Sequence, residues 1–348
     1  MKVAIQKNTY KVAHSTSWNF PWEDYCKDNN IEYEFIDLKT CDAINELKRF
    51  NVLLWHFGQY NHADMLEARS VLYSAKRMGL KVFPDFNESW HFDDKVAEMY
   101  ILQALGAPIP KSHVYYDKET IKKDLVSGVI KFPIVAKLRT GSGSHNVKLL
   151  KSKHALMSYA SKMFSTGYNP APSLLYKTSS NIRSSHNKQQ FISKLKRVPE
   201  FLRTLSGAKR FPHEKDYVYL QQFIPNDGYD MKVVVVGDKC AFLVRPVRSH
   251  DFRASGGGEV FFDPKYFNKQ VIESAFNISD ALGTQCMGYD YVINKETGEG
   301  VIVEMSYGFS HQAIMASKGF YDRNLKWHDE PLNAPYEVIH NIINNDVI

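Results

Sequence analysis

Four cysteines in 348 residues, with no Cys-x-x-Cys pair among them, exclude a disulfide framework or a thiolate zinc centre as the organising chemistry. Cys26, Cys41, Cys240 and Cys286 lie far apart, and reduced thiols in a cytoplasmic protein are the expectation. No apolar run approaches the ~20 residues that a membrane span needs. Residues 1–7 lack the apolar stretch of a secretory signal and read instead as a first strand. The common phosphate and hydrolytic signatures are missing too: there is no G-x-x-x-x-G-K-[ST] loop, no H-E-x-x-H and no G-x-S-x-G. A net charge of +6 is too mild to indicate nucleic acid. Internal repeats and low-complexity tracts are also absent.

What is present is a long, ordinary globular composition, 44% hydrophobic and 24% charged, enough for two or three packed lobes. Residues 1–90 alternate strand and helix patterns: strands at 2–6, 33–38, 52–57 and 81–84, helices at 22–29, 43–50 and 65–78 with Gly79 as C-cap. That rhythm predicts a small parallel sheet flanked by helices. A central lobe follows over 91–215. It has a helix over 94–105, a strand at 113–116, a helix over 118–126, and strands at 134–138 and 147–150 joined by a Gly/Ser loop at 140–144. Within it, 166–215 is polar, proline-interrupted and basic, with nine basic residues against one acid between 177 and 210. From 216 to 348 the chain turns β-rich, with strands at 217–224, 231–236 and 240–247, a helix over 267–282 and a hairpin of 288–294 with 300–305. The fold class is α/β, with α+β lobes after the first.

Several residues carry chemistry. Lys137 ends an apolar strand just before the loop 140–144; a lysine on a rigid strand can place a charge on a phosphate, and a glycine loop can offer N–H groups. Lys95, in Asp93-Asp94-Lys95, opens a helix. Asp290 and Glu304 each interrupt an apolar strand of one hairpin. Burying an unpaired carboxylate is costly, and a shared Mg²⁺, which prefers hard oxygen ligands, would remove that cost. Arg245, Arg248 and Arg253 flank the glycine run 256–258, suiting a site that holds phosphate and carboxylate oxygens together. Tyr219-Leu220-Gln221-Gln222-Phe223-Ile224, followed by Asp230, reads as an adenine-edge strand with a ribose-binding acid.

In this order the features resemble the ATP-grasp superfamily over residues 93–310, and within it the branch of glutamate ligases that extend a ribosomal protein's C-terminus. Phe252-Arg253-Ala254-Ser255-Gly256 also looks like ATP-grasp proteins of surface-polysaccharide gene clusters. The resemblance implies two lobes sandwiching ATP. Lys95 and Lys137 would contact the phosphates, with Ser142 and Gly143 in the loop closing over them. Gln222, Phe223 and Ile224 would meet adenine, and Asp230 the ribose. Arg253, Ala254 and Ser255 would lie near the γ-phosphate. Asp290, Glu304 and Ser306 would hold Mg²⁺, with Mn²⁺ as its substitute. Two departures stand out. Gln222 occupies a position that is usually Glu, and Glu304-Met305-Ser306 replaces Glu-x-Asn, weakening one metal position.

The implied activity is an ATP-dependent carboxylate–amine ligase. The acid is phosphorylated to an acyl phosphate, and the amine then attacks, with Arg253 or Arg245 stabilising the oxyanion. The basic insert would bind an acidic acceptor such as a uronic acid, a sugar-linked phosphate or an acidic peptide. Dimers are common among similar enzymes. The rival readings are a non-catalytic nucleotide-binding protein and a kinase of the same fold.

Overall fold

The computed structural model describes residues 1–8, 17–59, 62–141, 146–170, 212–247, 251–254 and 260–344. The first lobe is a four-stranded parallel sheet in the order β2-β1-β3-β4, formed by Lys2–Gln6, Glu32–Ile36, Val52–Leu54 and Lys81–Phe83. Helices α1 (Asn19–Asp28), α2 (Ala43–Leu47) and α3 (His62–Arg77) connect the strands. The apolar runs of β1 and β3 are buried on both faces, as a parallel sheet covered by helices requires. In α3, Met65, Ala68, Leu72 and Ala75 form one buried face, and Gly79 follows at a φ of +95° that favours glycine. Strand β3 is shorter than its apolar pattern because the chain turns back at Phe57, whose N–H meets the Trp55 carbonyl at 3.0 Å.

The short helix α4 (Phe86–Ser89) leads to α5 (Lys95–Ala104), capped by Asp94, which accepts from the N–H groups of Val96 and Ala97. Strand β5 (Ser112–Tyr115), α6 (Lys118–Val126), β6 (Ile134–Lys137), β7 (Val147–Leu150), α7 (Lys153–Met163) and β8 (Val218–Gln222) complete the middle lobe. Its four strands lie in the order β5-β8-β6-β7, antiparallel at each pairing. Helix α7 has no counterpart among the sequence expectations; its buried face is Leu156, Tyr159, Ala160 and Met163.

The last lobe is a six-stranded sheet, β12-β11-β9-β10-β13-β14. Its strands are β9 (Tyr229–Val236), β10 (Lys239–Pro246), β11 (Cys286–Ile293), β12 (Gly300–Ser306), β13 (Phe320–Asp322) and β14 (Trp327–His328). Helix α8 (Lys269–Leu282) covers one face. The elements beyond Ser306, namely α9 (His311–Met315), β13, β14 and α10 (Ala334–Asn344), were not anticipated from the sequence. Helix α10 does not cover its own lobe alone. Its Val338, Ile339 and Ile342 join a core with Val3, Leu53, Trp22 and Cys26 of the first lobe, together with Val234, Val236, Ala241 and Leu243 of β9 and β10. The middle lobe has a separate core around Ile121, Ala136, Leu156, Val218 and Leu220. Among the described residues no helix is long and apolar enough to cross a membrane.

Candidate functional site

Side-chain alternation builds the site. On β9, residues 230, 232, 234 and 236 share one face. The last two are apolar and pack on the first lobe, while Asp230 and Lys232 are charged. The same boundary crosses the neighbouring strands: Ala241 and Leu243 are apolar where Arg245 is charged, and Cys286 is apolar where Asp290 is charged. Register sets the charges directly opposite one another, Asp230 against Arg245 and Lys232 against Asp290. The Arg245 guanidinium donates to both Asp230 oxygens at 2.7 Å, and its Nη2 lies 2.8 Å from Asp290 Oδ2. Lys232 Nζ lies 2.5 Å from Asp290 Oδ1. Burial works against the Asp290 carboxylate, but Arg245 and Lys232 outweigh it and hold the group well below the usual range. Burial lifts Asp230 to about 6 against the opposing pull of the Arg245 guanidinium.

Across β11 and β12, Asp290 faces Glu304. Immediately beyond, the register slips, so that Tyr291 opposes Ile302 and Val303 is the extra residue of a β-bulge. That bulge frees the Val303 carbonyl from the ladder. Lys137 Nζ, arriving from β6 of the middle lobe, donates to it at 2.8 Å. Lys137 is 6% exposed, and burial pushes its ammonium down to about 8, with Lys95 adding to the fall and Glu304 resisting it. Lys95 Nζ donates to the Gly141 carbonyl at 2.6 Å and lies 3.2 Å from Glu304 Oε1. Burial opposes its charge too, but Glu304 and Asp93 more than compensate and raise it.

The expected residues therefore converge. Lys137, Gln222, Phe223, Ile224, Asp230, Arg253, Ala254, Asp290 and Glu304 line one cavity of about 110 Å³ between the two antiparallel sheets. Beyond Gln222 the chain leaves both neighbours of β8, so the backbone of 223–224 borders the cavity without ladder partners. Arg253 pairs with Asp251 at 2.6 Å and reaches the Val147 carbonyl at 3.4 Å. Three expected residues sit differently. Arg245 lies beneath the cavity, committed to two carboxylates. Lys95 reaches the site through Glu304. Ser306 turns its Oγ onto the Gly308 N–H at 3.0 Å. Ser142, Gly143, Ser255, Arg248 and nearly all of the basic insert lie outside the described residues.

Neighbours that the sequence argument passed over complete the cluster. Glu98, one helical turn after Lys95, is 4% exposed, accepts from the Met305 N–H at 3.3 Å, and is lifted to about 8 by burial. Its signal was an acid on the apolar face of an amphipathic helix. Asp93 accepts from the Gly141 N–H at 2.9 Å and is raised to about 6, again chiefly by burial. Lys232 was detectable as a charge in the alternation of β9.

The donor set can be tested against a divalent cation. Asp290 and Glu304 are hard-oxygen donors that face each other on paired strands, with Asp290 held by Lys232 at Oδ1 and Arg245 at Oδ2. Among the described residues no third Asp, Glu, His or Cys joins them. Two carboxylates thus fit Mg²⁺ where phosphate oxygens and water complete the shell. A larger crevice of about 590 Å³ opens beside β4 and the β9–β10 turn, but its charges satisfy one another, Lys76 with Asp85 at 2.6 Å and Arg323 with Asp280 at 2.7 Å. Its size reflects the joint between lobes; the residues expected from the sequence line the smaller cavity instead.

Two α+β lobes closing on a lysine- and carboxylate-lined cleft, behind a small parallel-sheet lobe, define the ATP-grasp fold, and solved structures agree. A RimK domain ATP-grasp protein of Sphaerobacter thermophilus superposes with a TM-score of 0.56 at 15% identity, over 99% of this chain and 100% of that one. The D-alanine–D-alanine ligase of Bacillus anthracis, solved with ATP, gives 0.54 at 15% identity over 90% and 88%. In sequence the chain is 20% identical over 246 residues to the alpha-aminoadipate–LysW ligase LysX of Saccharolobus solfataricus, covering 68% of this chain and 73% of that protein. No family model matches the sequence.

Proposed function

We propose that the protein is an ATP-dependent carboxylate–amine ligase. The observation that carries this reading is the meeting of Lys137 and Lys95, from the middle lobe, with Asp290 and Glu304 of the β11–β12 hairpin. Ligases of carboxylates and amines among the relatives support it. In this reading adenine lies along 222–224, and the triphosphate runs toward the two lysines. The acid's oxygen attacks the γ-phosphorus, the bond to the β–γ bridging oxygen breaks, and ADP leaves. The amine then attacks the acyl carbon, and inorganic phosphate departs. When bound, Mg²⁺ supplies charge neutralisation to the phosphate oxygens, with Asp290 and Glu304 as its protein ligands. Lys137 and Lys95 neutralise the same oxygens from the opposite wall. In this reading Arg253, on the cavity lining, would meet the oxyanion. Arg245 acts one step removed, by fixing Asp230 and Asp290.

The acceptor in this reading is acidic, a glycan or peptide, on the strength of the nine-to-one basic excess between 177 and 210. The test is incubation with ATP, Mg²⁺ and pooled acids and amines, followed by ADP measurement and mass spectrometry of products. ADP release with a dehydrated acid–amine adduct is expected. A product that retains phosphate would make the protein a kinase, and nucleotide binding without ADP release would make it a non-catalytic binder.

A further inference from the structure

Glu214 has no role in the scheme above, yet its carboxylate receives four donors. The Arg139 N–H donates to Oε2 at 2.7 Å and the Thr140 N–H to Oε1 at 3.0 Å, joined by the hydroxyls of Thr140 and Tyr217. The Arg139 N–H is shared with the Tyr217 oxygen at 2.6 Å. Three of the four donors therefore belong to two consecutive residues, the step that leads from β6 and Lys137 into Gly141. Backbone contacts fix Glu214 itself: it forms an antiparallel bridge with Tyr168, each N–H meeting the other's carbonyl at 2.9 Å. The approach is so close that a Cβ on Gly167 would lie 2.3 Å from the Glu214 carbonyl oxygen.

The start of α5 grips the other side of the same step. The Lys95 N–H donates to the Arg139 carbonyl at 2.9 Å, Asp94 holds the Arg139 guanidinium at 2.8 Å, and Asp93 holds the Gly141 N–H at 2.9 Å. Between these grips the Gly141 carbonyl is delivered to Lys95 Nζ at 2.6 Å. A free carboxylate near a triphosphate would repel it. Four donors spread the charge of Glu214, so the position gains rigid geometry with a weakened field.

We infer that Glu214 is a positioning residue that sets the entrance of the glycine loop, and through it Lys95, for the triphosphate. The inference rests on the nucleotide reading of the cleft and adds to it a residue that discriminates phosphorylated nucleotide from bare nucleoside. Glu214→Gln keeps the size of the side chain and one acceptor, but turns an NH₂ group onto donors. Titration of the full chain with ATP and, separately, with adenosine reads the effect. ATP is expected to bind at least about tenfold more weakly, the ratio that follows from losing one charge-assisted hydrogen bond, while adenosine is unchanged. Thr140→Val, which deletes one donor and spares the acid, moves ATP in the same direction by less, and it decides the matter should Glu214→Gln fail to fold. Equal weakening of ATP and adenosine, or no weakening of either, overturns the positioning role while leaving the nucleotide site standing. Wild-type protein that binds no ATP overturns both.

Discussion

Replacing Lys137 with methionine should make the nucleotide-free protein more stable while removing its hold on ATP. Lys137 is 6% exposed, and burial holds its ammonium near 8 instead of the ordinary 10.5. Keeping that proton at neutral pH costs about 3 kcal/mol. Methionine fills similar volume without charge, and forfeits only the bond from Nζ to the Val303 carbonyl, roughly 1 kcal/mol. The net expectation is a gain of about 2 kcal/mol at pH 7. Because the folded value lies below the unfolded one, the unfolded chain holds more protons between the two. Wild-type stability therefore rises with pH through that window, and the penalty is complete below about 8 and gone above about 10.5. Urea unfolding of both proteins in chelator, at pH 7 and again near the upper limit, measures the difference. A methionine variant less stable than wild type at pH 7, or an advantage that fails to shrink at high pH, would refute the reasoning. A gain in fold stability at the expense of a binding charge is the usual sign of a functional position.

Two further expectations follow from the geometry. Asp290→Asn leaves Lys232 without its carboxylate and Arg245 with only Asp230; the loss, read by denaturant midpoint, is about 3 kcal/mol, and ADP formation disappears with it. Gly319→Ala puts a methyl 1.9 Å from Trp327 Cζ2, so the β13–β14 hairpin must shift. The expected cost is about 1–3 kcal/mol of stability, with ATP affinity intact because the hairpin lies at the far edge of the sheet.

The sequence disclosed what local patterning controls. The βαβα rhythm of the first lobe, helix 118–126 and strand 147–150 agree closely with the structure, because each is written in its own run of apolar residues. The acids of β11 and β12 were legible because each broke an apolar strand, and the strands proved to be paired at those very residues. What escaped was long-range. Glu214 sits within the stretch read as a basic insert, and its partners lie some 74 and 75 positions earlier. The commitment of Arg245 to Asp230 and Asp290 depends on register across three strands, which no single run encodes. Elements beyond Ser306 were missed because α10 buries its apolar face on α1, so its pattern answers to a surface at the other end of the chain.

That last contact has a mechanical consequence. The outer lobes are welded through one hydrophobic interior, whereas β5 to β8 are built around another. The wall that carries Asp290 and Glu304 is therefore braced by both outer lobes, whereas the wall that carries Lys137 meets it through polar bridges, among them Lys137 to the Val303 carbonyl at 2.8 Å and Lys95 to Glu304 at 3.2 Å. Widening of the cleft would have to break those bridges, whereas the pairing of Asp290 with Glu304 across β11 and β12 could remain intact.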